Sequence, residues 1–111
     1  MAEILNKIID NLNNNRLTTA LNLCEENKDK KIEHIIFNIK GVILFKQKNY
    51  ELAKIEFIKS IKKDKRFIDP HKNLYKTHLK LKNFKSAILN ALNVIELDNT
   101  DNPLLFFNLA L

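Results

Sequence analysis

The octapeptide Lys46-Gln47-Lys48-Asn49-Tyr50-Glu51-Leu52-Ala53 recurs 34 residues later as Lys80-Leu81-Lys82-Asn83-Phe84-Lys85-Ser86-Ala87. Both copies follow the pattern K-x-K-N-aromatic-x-x-A. A weaker copy, Leu17-Thr18-Thr19-Ala20, precedes Tyr50 to Ala53 by 33 residues, and Asp69-Pro70 precedes Asn102-Pro103 by the same interval. A fixed period of this length indicates a chain built from repeated supersecondary units.

The apolar residues between these marks follow a helical period. Phe37, Gly41, Leu44 and Phe45 share one helix face, and no segment alternates with a period of two. Two further faces are predicted, one with Leu52, Ile55, Phe57, Ile58 and Ile61, the other with Ala87, Ile88, Ala91, Leu92 and Ile95. We therefore predict an all-α protein with helices near 2–13, 17–28, 33–46, 50–63, 70–80 and 84–97, and a seventh that starts at Pro103. Asp69 is expected to cap the fifth helix, with Pro70 as its first residue.

Length and composition limit the class of protein. The chain has 111 residues and a mass of 13.0 kDa, enough for one domain, 1–111. Its single glycine argues against a phosphate-binding glycine loop, and its single cysteine against an internal disulfide. No apolar run is long enough to span a membrane, and charges interrupt the N-terminal stretch. We expect a cytoplasmic protein with no cofactor, no metal and no membrane association.

The basic charge has two explanations. The formal net charge is +6, and all but two of the 19 basic residues are lysines. One explanation is an acidic or nucleic-acid partner. The other is compositional, since lysine, asparagine and isoleucine share A/T-rich codons. Base reading prefers arginine forks, so we favour the compositional explanation over nucleic-acid binding.

The repeat resembles the tetratricopeptide repeat, a family of helix-turn-helix units of about 34 residues. Gly41, Tyr50, Ala53 and Phe57 match its small and aromatic positions, and Phe84 and Ala87 match two of them in the next unit. The resemblance divides the chain into repeats at about 1–33, 34–67 and 68–101 with a partial one at 102–111. It implies helix pairs stacked into a right-handed α-solenoid, whose first helices line a concave, peptide-binding surface.

One departure from the family pattern concerns packing volume. Tyr75 stands at the position that Gly41 holds one repeat earlier, and Ala91 stands at the position of Phe57. Because protein interiors are close-packed, an added ring needs space elsewhere. We predict that Tyr75 fills the room left at Ala91.

The resemblance also implies which residues face the concave surface. In the second and third repeats they are Asn38, Val42, Phe45, Lys46, Lys72, Lys76, Leu79 and Lys80, with Asp69; in the first they are Leu5, Ile9, Leu12 and Asn13. Lys72, Lys76 and Lys80 form a basic stripe at i, i+4 and i+8. That stripe suits an acidic peptide with an apolar anchor, although an ordinary solvated lysine face has the same pattern. The predicted concave residues do not match those with which a subset of the family binds the C-terminal carboxylates of chaperones.

Few residues suggest a catalytic or metal-binding site. His71, Tyr75 and His78 share a helix face, but the two histidines are about 10 Å apart along the axis, too far for one metal ion. We interpret both as packing residues. Cys24 is interpreted as a buried small apolar residue. The acids, including Glu56, are expected on exposed faces, so catalysis is not expected.

The C-terminal residues form an apolar run, Leu104, Leu105, Phe106, Phe107, Leu109 and Leu111. Such a run marks an interface or the start of a further repeat. Three functions remain open. The first is a non-catalytic interaction module, which could form a homodimer through this helix. The second is the N-terminal part of a larger enzyme such as a glycosyl- or sulfotransferase. The third is a basic helical-repeat protein that binds nucleic acid.

Overall fold

The chain folds into helices joined by short turns. A computed structural model describes residues 2–98, and within that range it has six α-helices and no strand. They are α1 (Ala2–Asn13), α2 (Leu17–Glu26), α3 (Glu33–Lys46), α4 (Tyr50–Lys63), α5 (Ile68–Lys80) and α6 (Phe84–Asp98), with a 3₁₀ turn at Lys30–Ile32. The predicted all-α class is confirmed, and α1, α3 and α4 have the predicted bounds. The predicted seventh helix lies outside the described residues.

Three helix boundaries differ from the prediction, and at the end of α6 the difference is a single residue, Asp98 in place of Leu97. The second helix ends at Glu26, because Asn27 is extended and its side chain accepts a hydrogen bond from the Asp29 amide at 3.3 Å. This side-chain turn competes with a further helical turn. The fifth helix begins at Ile68, so its N-cap is Phe67 and not Asp69. Pro70 is then the third helical residue, which is tolerated because first-turn amides have no partner within the helix.

The turn inside each helix pair has one repeated geometry. Asn15, Lys48 and Lys82 all have positive φ, at 59°, 63° and 62°. In the second pair, the Asn49 amide donates to the Leu44 carbonyl at 2.9 Å, and the Lys48 amide donates to the Phe45 carbonyl at 2.9 Å. This is the Schellman arrangement that ends helices. Backbone hydrogen bonds therefore form the turn, whichever residue has the positive φ.

The helices pack in the order of the chain. Each helix packs on the next one along the chain, most extensively α3 on α4 and α5 on α6, and α3 also packs on α5. One core cluster joins α1, α2 and α3 and includes Ile8, Cys24 and Ile39. A second joins α4 and α5 through Ala53, Phe57 and Leu74, with α3 residues packed against it. The third helix therefore belongs to both clusters.

The core faces of α4 and α6 match the predicted faces only in part, because Phe57 and Ala87 are the members of those faces that are buried. On α4 the buried residues are Ala53, Glu56, Phe57 and Ser60, while Leu52, Ile55 and Ile58 are exposed. On α6 the buried residues are Ala87, Asn90 and Val94, while Ile88 and Leu92 are exposed. Both helices have apolar residues on more than one face, so periodicity alone could not identify the buried face. None of the helices in residues 2–98 has the length and apolar character of a bilayer-spanning segment.

Candidate binding site

A pocket of about 390 Å³ opens between α3 and α5, next to the turn that leads into α4. Its size falls in the range of small-ligand and side-chain pockets. Three helices contribute to it because α5 packs on both members of the preceding pair. The lining residues are Val42, Phe45, Lys46, Lys48, Tyr50, Phe57, Asn73, Lys76 and Lys80.

The floor of the pocket is apolar and aromatic. Val42 and Phe45 lie one turn apart on α3, and the Phe45 and Tyr50 rings meet edge to face with centroids 5.1 Å apart. Phe57 reaches the floor because Gly41 leaves room for its ring: a Cβ at Gly41 would lie 2.8 Å from Phe57 Cζ. The smallest residue of α3 therefore positions the largest buried ring of α4.

Four lysines surround this floor. Lys46 and Lys48 come from the end of α3 and its turn, and Lys76 and Lys80 are one turn apart on α5. No carboxylate from residues 2–98 lines the pocket, and none of the four lysines takes part in an ion pair between described residues. Uncompensated charges of one sign in a concave site attract ligands of the opposite sign.

An amide pair ties the two sides of the pocket together. Asn73 of α5 donates its side-chain N–H to Asn38 Oδ1 of α3 at 3.0 Å. Asn38 is buried, whereas Asn73 is half-buried and lines the pocket. The hydrogen bond fixes the spacing of α3 and α5, and with it the width of the opening.

The structure brings together most of the predicted concave residues of the second and third repeats. Val42, Phe45, Lys46, Lys76 and Lys80 all line the pocket. The other four do not line it: Asn38 is buried beneath Asn73, Lys72 and Leu79 are half-buried, and Asp69 is exposed near the start of α5.

Sequence reasoning missed four lining residues: Lys48, Tyr50, Phe57 and Asn73. The sequence pattern could have predicted Asn73 as a lining residue, because it lies on the same helix face as Lys76 and Lys80 at the spacing i, i+3 and i+7. The other three lie in the turn or on α4, and only the packing of three helices brings them to the site. None of the residues predicted on α1 lines this pocket, nor does Asp69.

The two histidines of α5 are buried at separate places. His71 Nε2 lies 3.1 Å from the Lys65 carbonyl oxygen, and the side-chain Nδ2 of Asn83 lies 3.4 Å from His78 Nδ1. Burial, and secondarily the nearby Lys54 cation, lower the pKa of His78. In residues 2–98, no three side chains of the metal-ligating types lie close enough together to hold an ion.

Cys24 lies in the first core cluster and is buried. Burial raises the pKa of its thiol to about 12, so the thiolate form that reacts is scarce at neutral pH.

Nearby, Lys40 Nζ lies 3.0 Å from Glu25 Oε1 and 3.7 Å from Glu56 Oε1. The expectation that Glu56 is exposed is wrong: it is buried because α3 supplies this cation beside it.

Two sequence predictions stay predictions. Tyr75 and Ala91 are both half-buried on helices that pack together, and contact between the two side chains stays a prediction. The apolar run at Leu104, Leu105, Phe106, Phe107 and Leu109 lies outside the described residues.

Comparison with known proteins gives no relative: no family model, no curated protein and no solved structure matches this chain. The repeat and the pocket are therefore the two features that indicate a function.

Proposed function

We propose that the chain is a non-catalytic interaction module that binds an acidic peptide segment in the pocket between α3 and α5. The observation that supports it is the combination of an apolar floor with four lysines and, among residues 2–98, no lining carboxylate. We propose further that the helix pairs stack as a right-handed solenoid of the tetratricopeptide type. Repeated turns and sequential packing of the pairs support this arrangement.

The pocket suits a peptide with one apolar side chain flanked by carboxylates. The apolar side chain inserts against Val42 and Phe45, where the hydrophobic contribution is about 25 cal/mol per Å² of buried apolar area. Carboxylates on either side of it meet Lys46 and Lys48 on one wall and Lys76 and Lys80 on the other. The side-chain amide of Asn73 also lines the pocket and can form a hydrogen bond with the peptide backbone.

The proposal assigns no chemical step to the chain. The Cys24 thiol is buried with a raised pKa, and the Glu56 carboxylate has Lys40 and Lys59 as its neighbours. The proposal includes a cytoplasmic location, which the single cysteine supports because one cysteine cannot form an internal disulfide.

The test is fluorescence anisotropy with three labelled peptides of equal length. The first is rich in Asp and Glu around a central Phe, the second has Gly in place of Phe, and the third has Asn and Gln in place of the acids. We expect the first to bind most tightly, because only it uses both the floor and the lysines. Equal affinity for all three peptides would refute the proposal.

Charge reversal locates the site. The double variant Lys76→Glu/Lys80→Glu is expected to weaken binding of the acidic peptide at least about tenfold. The matched control is Lys28→Glu/Lys62→Glu, which changes the net charge equally on exposed residues outside the pocket. Equal losses in the two variants would place binding elsewhere. A single-stranded oligonucleotide that binds more tightly than the acidic peptide would replace this proposal with nucleic-acid binding.

A further inference from the structure

The outer face of α6 has an apolar centre with a charge at each end. Leu89 and Leu92 are 61% and 55% exposed, and Lys85 and Glu96 are exposed on the same face. These four residues are spaced i, i+4, i+7 and i+11, so they form one stripe down three turns of the helix. The stripe lies opposite the buried residues Ala87, Asn90 and Val94.

The stripe is complementary to an antiparallel copy of itself. When two α6 helices run in opposite directions about a point midway between Asn90 and Ala91, position 85 meets position 96 of the second copy, and position 89 meets position 92. Each leucine then faces a leucine, and each lysine faces a glutamate. A two-fold axis generates both sets of contacts at once, as in isologous dimers.

The charges at the ends of the stripe are available for such pairing. Neither Lys85 nor Glu96 takes part in an ion pair between described residues. They are separated by about 16 Å along the helix at 1.5 Å per residue, too far to pair with each other. In a parallel pair, the same spacing would place lysine against lysine and glutamate against glutamate.

We infer that this stripe is a homodimer interface, in which α6 packs antiparallel on α6 of a second copy with Leu89 and Leu92 at the centre and Lys85 paired to Glu96 at both ends. The leucines supply apolar burial, and the charges set the direction and register. The pocket between α3 and α5 does not include any of these residues, so dimerisation leaves it open.

The first measurement is the solution mass of the full chain by light scattering over a wide range of concentration. We expect the mass to rise from 13.0 kDa toward twice that value as concentration increases. The variant Leu89→Lys should stay a monomer, because it puts a cation at the apolar centre. The matched control is Ile55→Lys, an exposed apolar residue at the equivalent position of α4, which should dimerise like the wild type. A wild type that stays monomeric throughout would overturn the inference.

Charge exchange tests the antiparallel register. Lys85→Glu and Glu96→Lys should each raise the dissociation constant at least about tenfold, because each creates two like-charge contacts per dimer. The double variant Lys85→Glu/Glu96→Lys should recover the wild-type dimer. Single variants that dimerise normally, or a double variant that does not recover, would show that copies associate through another face or register. Circular dichroism of each variant checks that helix content is retained.

Discussion

Lys82 adopts a left-handed backbone conformation, with φ at 62°, at the end of α5. A side chain at such a position crowds the backbone, whereas glycine does not. The residue remains there because its amide donates to the Leu79 carbonyl at 3.1 Å and the next amide, of Asn83, donates to the His78 carbonyl at 2.8 Å. The turn is therefore set by its hydrogen bonds and not by the residue that occupies it.

Glycine at this position should stabilise the protein. We expect Lys82→Gly to raise the free energy of unfolding by roughly 0.5–1 kcal/mol, because it relieves the left-handed conformation. Urea denaturation measures the change. The control is Lys7→Gly within α1, which should lower the free energy of unfolding by about 1 kcal/mol, since glycine is a poor helix former. A loss of stability in Lys82→Gly would contradict the assigned turn geometry.

The stability of the fold should fall in mild acid because of His78. Burial, together with Lys54, lowers the pKa of His78 in the folded chain below that of the unfolded chain. Between the two pKa values, the unfolded chain binds more protons than the folded chain. The contribution of His78 to the free energy of unfolding is therefore fully present above about pH 6.5, and it is lost as the pH falls through the lowered pKa of the folded chain. Urea denaturation from pH 7.5 to 5 measures this slope. In His78→Gln the slope should be shallower; an unchanged slope would show that other groups cause it.

At the scale of single elements, Gly41 and Phe57 determine how α3 and α4 fit together. We expect Gly41→Ala to lower the free energy of unfolding by about 1–2 kcal/mol, because overpacking against the Phe57 ring outweighs the better helix propensity of alanine. The substitution should cost less in a Phe57→Leu background, which frees part of the space. A double-mutant cycle by urea denaturation measures the coupling. Equal costs in both backgrounds would show that the ring does not limit residue 41.

The sequence repeat predicted the bounds of the helices better than it predicted which face of each helix is buried. It gave the bounds of α1, α3 and α4 and the turn at Lys48-Asn49, because turn signals and helical period are local properties of the chain. It missed the start of α5, because Phe67 has no side chain that marks a cap. It also placed Ile88 and Leu92 in a core face, because a helix with apolar residues on several sides gives no local sign of which one is covered.

The candidate site could be predicted only in part for the same reason. Val42, Phe45, Lys46, Lys76 and Lys80 follow from the helical register of α3 and α5. Tyr50 and Phe57 belong to α4, and they reach the pocket through the space that Gly41 leaves and the contact between the Phe45 and Tyr50 rings. Contacts among three helices depend on tertiary packing, which no spacing within one helix encodes.

At the scale of the whole molecule, the apolar core is distributed unevenly. Residues of α3 pack in both core clusters, whereas neither cluster in residues 2–98 includes a residue of α6. The buried residues of α6 are Ala87, Asn90 and Val94, while Phe84, Ile88, Leu89 and Leu92 are exposed. Because opening α6 exposes little apolar area, it should cost less free energy than opening α3.

Native-state hydrogen exchange should therefore show a gradient along the chain. At concentrations where the protein is monomeric, we expect amides of α6 to exchange faster than those of α3, measured by mass spectrometry of peptides from each helix. Raising the concentration should slow exchange in α6 selectively if Leu89 and Leu92 become covered by a second copy. The variant Lys85→Glu should lack that concentration dependence while it keeps the gradient. If amides of α6 were as protected from exchange as those of α3 at every concentration, the uneven distribution of the core would be contradicted. Contacts other than those of its small buried face would then hold α6 in place.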